Sequence, residues 1–167
     1  MEELVKLNAL ISQPLALERH LDKIIVVVQD FIGKYDVIDS KAKAVNMQER
    51  TADEIRPLIQ AIKQSIPSAE SNLNVEVENL YQFVKVFKIL LRKQVNRVNL
   101  NKTGVIVIVQ LLKYGNSINH NMLRAELCNI VLNMCYEPAN IRFFLDENGL
   151  ILLLSNISSR DGRLLTR

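Results

Sequence analysis

Five cations follow one another along a single predicted helix and give the chain its strongest concentration of charge. They fall within 13 positions, and no acidic residue lies between Glu78 and Glu126. A cluster of this kind attracts acidic peptides or anionic lipid head groups, although a charged face that only serves solubility has the same pattern. The five residues are Lys85, Lys88, Arg92, Lys93 and Arg97.

A polar stripe on a later predicted helix is the second candidate for binding. Its members are spaced by three, four and three residues and therefore share one helix face. Asparagine amides can pair with a peptide backbone, and tyrosine offers an apolar ring with a polar tip; the competing interpretation is an ordinary solvated face. The stripe consists of Glu126, Asn129, Asn133 and Tyr136. With Lys85, Lys88 and Arg92, these four residues form the predicted partner-binding set.

The expected partner is another protein or a peptide, and an acidic one is favoured by the cations. Nucleic acid is not favoured, because Phe83 and Phe87 belong to the apolar stripe of the helix and not to its basic face. The apolar runs Ile24–Val28 and Val105–Val109 are far shorter than the ~20 residues that span a bilayer. The start of the chain also lacks the pattern of a signal peptide. We therefore expect a soluble protein of the cytoplasm, with the nucleus as the alternative.

Residues that could carry out catalysis or bind a metal are few and scattered. His20 lies among charged neighbours, as a surface residue would, and His120 begins a predicted helix between two asparagines. Cys128 and Cys135 are about 10 Å apart along one helix, which is too far for a disulfide, so we expect buried thiols. No phosphate loop, nucleophile elbow or metal motif occurs. The sequence therefore predicts a protein that is not an enzyme and binds no cofactor or metal.

The composition and the apolar spacing predict an all-α fold with an aliphatic interior. Tryptophan is absent, and five glycines and four prolines are too few for a protein rich in tight turns. Apolar spacings of three and four residues predict helices over 2–12, 15–34, 55–65, 75–98, 104–114, 120–136 and 138–146, with one more after Gly149. A further short helix is expected at 41–50. Thr51 with Glu54, and separately Asn119, are the predicted N-terminal caps.

The segment after residue 100 has the order of an armadillo repeat. Gly104 and Gly149 lie 45 residues apart and each opens an apolar run, a period typical of armadillo and HEAT repeats. The chain resembles the armadillo family in four short motifs, and a weaker copy runs from Ile55 to Gly104. The matching motifs are Leu111-Leu112, Leu132-Asn133-Met134, Asn140-Ile141 and Asn148-Gly149-Leu150.

This resemblance implies a right-handed superhelical stack with about two full repeats and partial flanking units. It places an N-terminal helical cap at 1–48, the repeats at 49–160, and a tail or truncated array at 161–167. In the family the third helices line a groove, where a tryptophan followed four residues later by an asparagine grips extended peptides. Here Asn133 takes the asparagine place and Asn129 the tryptophan place.

The function implied by the resemblance is a non-catalytic scaffold or adaptor that binds partners through this surface. Two alternatives remain open. One is a regulatory domain of a formin-like cytoskeletal protein, which would bind a small GTPase or an autoinhibitory helix. The other is a helical-bundle enzyme subunit or a self-associating helical domain; for self-association, apolar residues left exposed over Leu150–Leu154 would provide the contact. A β-strand at Val105–Val109 is the alternative at the level of local structure, because valine and isoleucine favour strands.

Overall fold

The computed structural model describes residues 2–36, 55–67 and 75–158, and all regular structure within these ranges is helical. Val105–Val109 lies within a helix, which confirms the helical prediction for that run over the strand alternative. The predicted helix at 41–50, the Thr51–Glu54 cap and the tail at 161–167 lie outside the described residues. The helices are α1 (Glu2–Ile11), α2 (Ala16–Tyr35), α3 (Arg56–Ser65), α4 (Val77–Leu90), α5 (Gln94–Ser117), α6 (Asn121–Met134), α7 (Pro138–Asp146) and α8 (Gly149–Ser158).

The helix expected over 75–98 is in fact two helices, and that prediction was wrong. α4 ends at Leu90, and α5 begins at Gln94 after a short turn. Side chains that follow the turn satisfy the last carbonyl groups of α4. The amide of Asn96 donates to the Leu90 carbonyl oxygen at 2.9 Å, and the guanidinium of Arg97 donates to that of Leu91 at 3.0 Å. The free carbonyls at a helix end need such partners.

The break expected over 99–103 is a single residue within α5. Asn101 has φ 47° and ψ −171°, which interrupts the helical backbone. Its side-chain oxygen accepts a hydrogen bond from the backbone N–H of Thr103 at 2.9 Å, as an N-terminal cap does. α5 is therefore a short arm before Asn101 and a long arm after it.

Two further boundary predictions around α6 were wrong. The loop expected over Gly115–Asn119 starts later, because α5 continues to Ser117. The cap of α6 is His120 and not Asn119: its Nδ1 accepts from the backbone N–H of Leu123 at 3.0 Å.

The helices contact one another as two rows. In the first row α1, α3, α5 and α8 are in contact in that order, and in the second row α2, α4 and α6 are in contact in that order. The rows are joined by the pairs α1–α2, α3–α4 and α5–α6 and by a smaller contact of α6 with α8, while α7 packs against α5 and α8. α1 and α2, from the predicted N-terminal cap, thus continue the two rows: α1 packs against α3, and α2 packs against α4.

One apolar core runs through these contacts and consists mainly of leucine, isoleucine and valine. Phe31 of α2, Phe83 and Phe87 of α4 and Leu127 of α6 have no exposed surface. A helix that contacts neighbours on several sides needs more than one apolar stripe. α5 fits this requirement, because both Val105 and Val107, which lie on nearly opposite sides of the helix, are buried.

Features of the turn before Gly104 recur before Gly149. In each copy an asparagine with positive φ stands shortly before the glycine, Asn101 three residues before Gly104 and Asn148 one residue before Gly149. In each copy an apolar side chain from the preceding helical segment, the short arm of α5 or α7, occupies the space beside the glycine: Leu100 next to Gly104, and Phe144 next to Gly149. The repeat detected in the sequence therefore has a counterpart in side-chain packing.

Replacement of Gly149 by alanine tests this packing. The added methyl group would overlap the Phe144 ring, so we expect the free energy of unfolding to fall by about 1–3 kcal/mol. Gly33→Ala in α2 is the matched control, because no atom lies within 4 Å of the new methyl group. We expect that control to stabilise the protein by up to about 1 kcal/mol. Urea unfolding followed by circular dichroism measures both, and equal changes in the two variants would contradict the packing argument.

Candidate functional site

The second row of helices brings the two predicted binding groups together. α4 carries Lys85 and Lys88, α6 carries Glu126 and Asn133, and the two helices pack side by side. α2 flanks α4 on its other side and contributes Asp36, the residue that caps the carboxyl end of α2. We call the residues at this junction of α2, α4 and α6 the charged seam: Asp36, Lys85, Lys88, Arg92, Glu126 and Asn133.

Lys88 lies at the centre of the charged seam and is only 8% exposed. Its Nζ is 3.1 Å from Oδ1 of Asp36 and 3.0 Å from Oε2 of Glu126. A buried ammonium group requires opposite charge and hydrogen-bond acceptors around it, and two carboxylates from different helices supply them. Lys88 was expected on an outer basic face of α4. That placement was wrong, because α2 and α6 cover this side of the helix.

Asp36 neutralises much of the basic cluster. Arg92 Nη2 donates to Oδ1 of Asp36 at 3.1 Å, and Lys85 Nζ lies 3.9 Å from Oδ2. Arg92 also donates through Nη1 to the backbone carbonyl of Tyr35 at 3.3 Å. The scarcity of acids around residues 85–97 in the sequence is therefore compensated in space, by a carboxylate that is distant along the chain.

The predicted polar stripe of α6 is divided between internal and external roles. Glu126 pairs with Lys88, and the amide of Asn133 donates to the Lys88 backbone carbonyl at 3.2 Å. Both side chains therefore hold α6 against α4. Asn129 is exposed and lies 3.4 Å from Glu126, while Tyr136 is 68% exposed at the end of α6. Asn129 and Tyr136 are the members of the stripe that face solvent.

Tyr136 is linked to the last residue of the basic cluster. The Arg97 guanidinium lies 5.7 Å from the centre of the Tyr136 ring, a distance at which a cation and an aromatic face attract each other. Arg97 also donates to the carbonyl oxygens of Leu91 and Arg92. Arg97 thus fixes the end of α4 and supports an exposed aromatic side chain at the same time.

A small aromatic cluster at the start of α6 was not anticipated as a unit. The rings of Tyr81 and His120 are 5.5 Å apart, and His120 Nε2 lies 3.6 Å from Oε2 of Glu78. Burial raises the pKa of the Tyr81 hydroxyl above its ordinary value. With its other nitrogen capping α6, His120 has a structural role in joining α4 and α6. The sequence signal for it was the position of a histidine immediately before a helical apolar stripe.

The cysteines and the remaining histidine do not join the seam. Cys128 and Cys135 are free thiols and half-buried, where full burial was expected. Burial raises the pKa of the Cys135 thiol, which lowers its fraction of reactive thiolate at neutral pH. His20 is half-buried within α2, at a residue where the backbone departs from helical geometry. Across the described ranges no group of three or more potential metal ligands is present, and no helix there meets the length and hydropathy of a bilayer span.

Comparison of the chain with models of protein families, with curated proteins and with solved structures finds no match.

Replacement of Lys88 by methionine tests whether the seam stabilises the junction. Asp36 and Glu126 would lose their shared cation, so we expect the free energy of unfolding to fall by about 1–3 kcal/mol. Lys85→Met removes the same charge from the same helix, but Lys85 is more exposed and lies beyond hydrogen-bond distance of Asp36. We expect that control to change stability by about 0.5 kcal/mol. Indistinguishable unfolding curves for the two variants would remove Lys88 as the centre of the seam.

Proposed function

We propose that this protein is a non-catalytic interaction scaffold with an armadillo-like, right-handed stack of helices. Its ligand would be an extended segment of another protein that lies across the second row, α2, α4 and α6. The order of helix contacts carries the proposal. Each helix of a row packs on the next helix of the same row, as in proteins built from repeated units that contact their neighbours.

The repeated packing details support the same proposal. The turns at Gly104 and Gly149 share the preceding asparagine with positive φ and the apolar side chain that covers the glycine. Asn96 and Asn140, each in the first turn of the helix before those turns, are both 1% exposed and both donate to backbone carbonyls. Such agreement between two segments is expected of repeats and is not required in a bundle of unrelated helices.

The second row offers a mixed surface that suits an acidic, extended peptide. Arg92 has 43% of its side chain exposed, and Asn129 and Tyr136 are exposed on the neighbouring helix. We propose that these residues, with Lys85, contact the ligand through charge, amide and aromatic groups. Lys88, Glu126 and Asn133 would act as positioning residues, because the Lys88–Glu126 ion pair and the hydrogen bond from Asn133 to the Lys88 carbonyl hold α4 and α6 together.

A binding assay with a fluorescent glutamate-rich peptide tests the proposed surface. The double change Lys85→Glu and Arg92→Glu should weaken binding at least about tenfold at low salt, because it reverses the charge that attracts the ligand. Lys63→Glu with Lys113→Glu makes the same change in net charge on exposed residues of the first row, and it should weaken binding less than about threefold.

Fluorescence anisotropy gives the affinities, and thermal melts of both double variants establish that they fold. Equal losses of affinity in the two double variants would mean that binding depends only on the net charge of the protein. A wild-type protein that shows no binding to the peptide would reject the acidic ligand.

Self-association is a second candidate function, favoured by the exposed side of α8. Ile151 is 64% exposed and Leu154 is 57% exposed on that helix, and Leu150 and Ile157 lie on the same side of it. Side chains spaced by three and four residues form one apolar face, and such a face on a folded protein often marks an interface. A second copy of this chain could cover it.

Light scattering over a wide concentration range tests this candidate. If copies pair through α8, the wild-type mass should rise with concentration, and Ile151→Glu with Leu154→Glu should restore a constant monomer mass. Val5→Glu with Val26→Glu alters two comparably exposed apolar residues of α1 and α2 and should leave pairing unchanged. A wild-type mass that stays monomeric throughout would exclude pairing.

A further inference from the structure

The position of Asp36 is unusual for a carboxylate. It caps the carboxyl end of α2, and its backbone N–H donates to the Ile32 carbonyl at 2.8 Å. The carboxyl end of a helix carries partial negative charge, so an acidic side chain there is repelled by its own helix. The attraction that retains Asp36 must therefore come from elsewhere, and α4 provides it.

The groups around Asp36 form a receptor for a carboxylate. Lys88 and Arg92 are within 3.1 Å of its Oδ1, and Lys85 is 3.9 Å from its Oδ2. Lys88 is more than nine-tenths buried, so the receptor is rooted in the interior of the protein and does not consist of mobile surface chains. Three cations directed at one carboxylate are more than a single surface ion pair requires.

We propose that Asp36 is an internal stand-in for an acidic side chain of the ligand. The inference rests on the proposed function, because it assumes that an acidic peptide crosses α2, α4 and α6. A glutamate or aspartate of that peptide would take over the hydrogen bond of Arg92 and the charge contact of Lys85, and would displace the Asp36 carboxylate. Asp36 would then lower the affinity of the free protein for acidic ligands and restrict binding to peptides that present well-placed carboxylates.

The geometry is consistent with displacement and not with permanent burial. The Asp36 side chain keeps 21% of its surface exposed, and the Arg92 side chain keeps 43%. Glu126 pairs with Lys88 from the other side, so Lys88 would retain one carboxylate after Asp36 leaves. An entering carboxylate would therefore replace one ion pair by an equivalent one, without leaving the buried ammonium uncompensated.

Asp36→Asn tests the inference, with Asp30→Asn as the matched control. Both changes remove one negative charge from α2, but Asp30 is exposed and outside the seam. With the labelled glutamate-rich peptide at low salt, we expect Asp36→Asn to tighten binding about tenfold, since the internal competitor is gone. Asp30→Asn should change the affinity less than about twofold. An Asp36→Asn affinity within twofold of the control would overturn the stand-in role.

A measurement on the wild-type protein keeps the test independent of variant stability. The 13C signal of the Asp36 carboxyl group should shift as the peptide is added, while that of Asp30 should stay in place. Peptide binding without any change at Asp36 would overturn the inference and leave the proposed function standing. If the peptide binds neither the wild-type protein nor Asp36→Asn, both the inference and the acidic ligand of the proposed function are overturned. If binding depends on Lys85 and Arg92 but not on Asp36, only the inference is rejected.

Discussion

The structure depends on apolar faces that no pair of helices can bury alone. α3 and α4 cover each other, but α4 is also apolar toward α2 and α6, and α5 is apolar toward α3, α7 and α8. Transfer of this surface from water is the dominant favourable term in folding, and it is gained only when successive helices stack. The same requirement makes the core continuous from Leu4 to Phe144.

Charged side chains that border the continuous core must be paired with opposite charges. Lys88 occupies a position on α4 that the stacking of α2 and α6 covers, and it is tolerated because each flanking helix brings a carboxylate. Buried ion pairs add little net stability compared with apolar packing, but a buried charge without a partner is strongly destabilising. We infer that the seam mainly specifies how the three helices are placed relative to one another, since a different placement would leave some of its charges unpaired.

The fold and the proposed function depend on the same residues. The cations that we propose to attract an acidic ligand are also those that pair with Asp36 and Glu126. Their donors are shared between internal partners and the surface, so a ligand would compete with the protein for them. This arrangement differs from a free basic patch, whose affinity follows from net charge and is strongly reduced by salt.

The sequence by itself determined the helical class, most helix positions and the recurrence around Gly104 and Gly149, because these follow from local spacing of apolar residues and from turn chemistry. It failed at the turn after Leu90, where Leu91 and Val95 keep the apolar spacing and no glycine or proline marks the break. There the side chains of Asn96 and Arg97 decide the chain path by hydrogen bonds to carbonyl groups six residues earlier, which apolar spacing does not reveal. Gly115 was likewise expected to begin a loop but lies within α5, and the Leu127 side chain packs against it so closely that a Cβ there would be 2.8 Å from Leu127 Cδ1.

Only the tertiary structure decided which polar residues face solvent. Lys88 and Asn133 look like surface residues in a helical wheel, and they become internal because neighbouring helices cover them. The sequence around Asp36 does not reveal its ion pairs, because its hydrogen-bond partners Lys88 and Arg92 lie more than 50 residues away along the chain. Local patterns report which residues prefer burial, whereas charge pairing across helices depends on distances that only the assembled stack fixes.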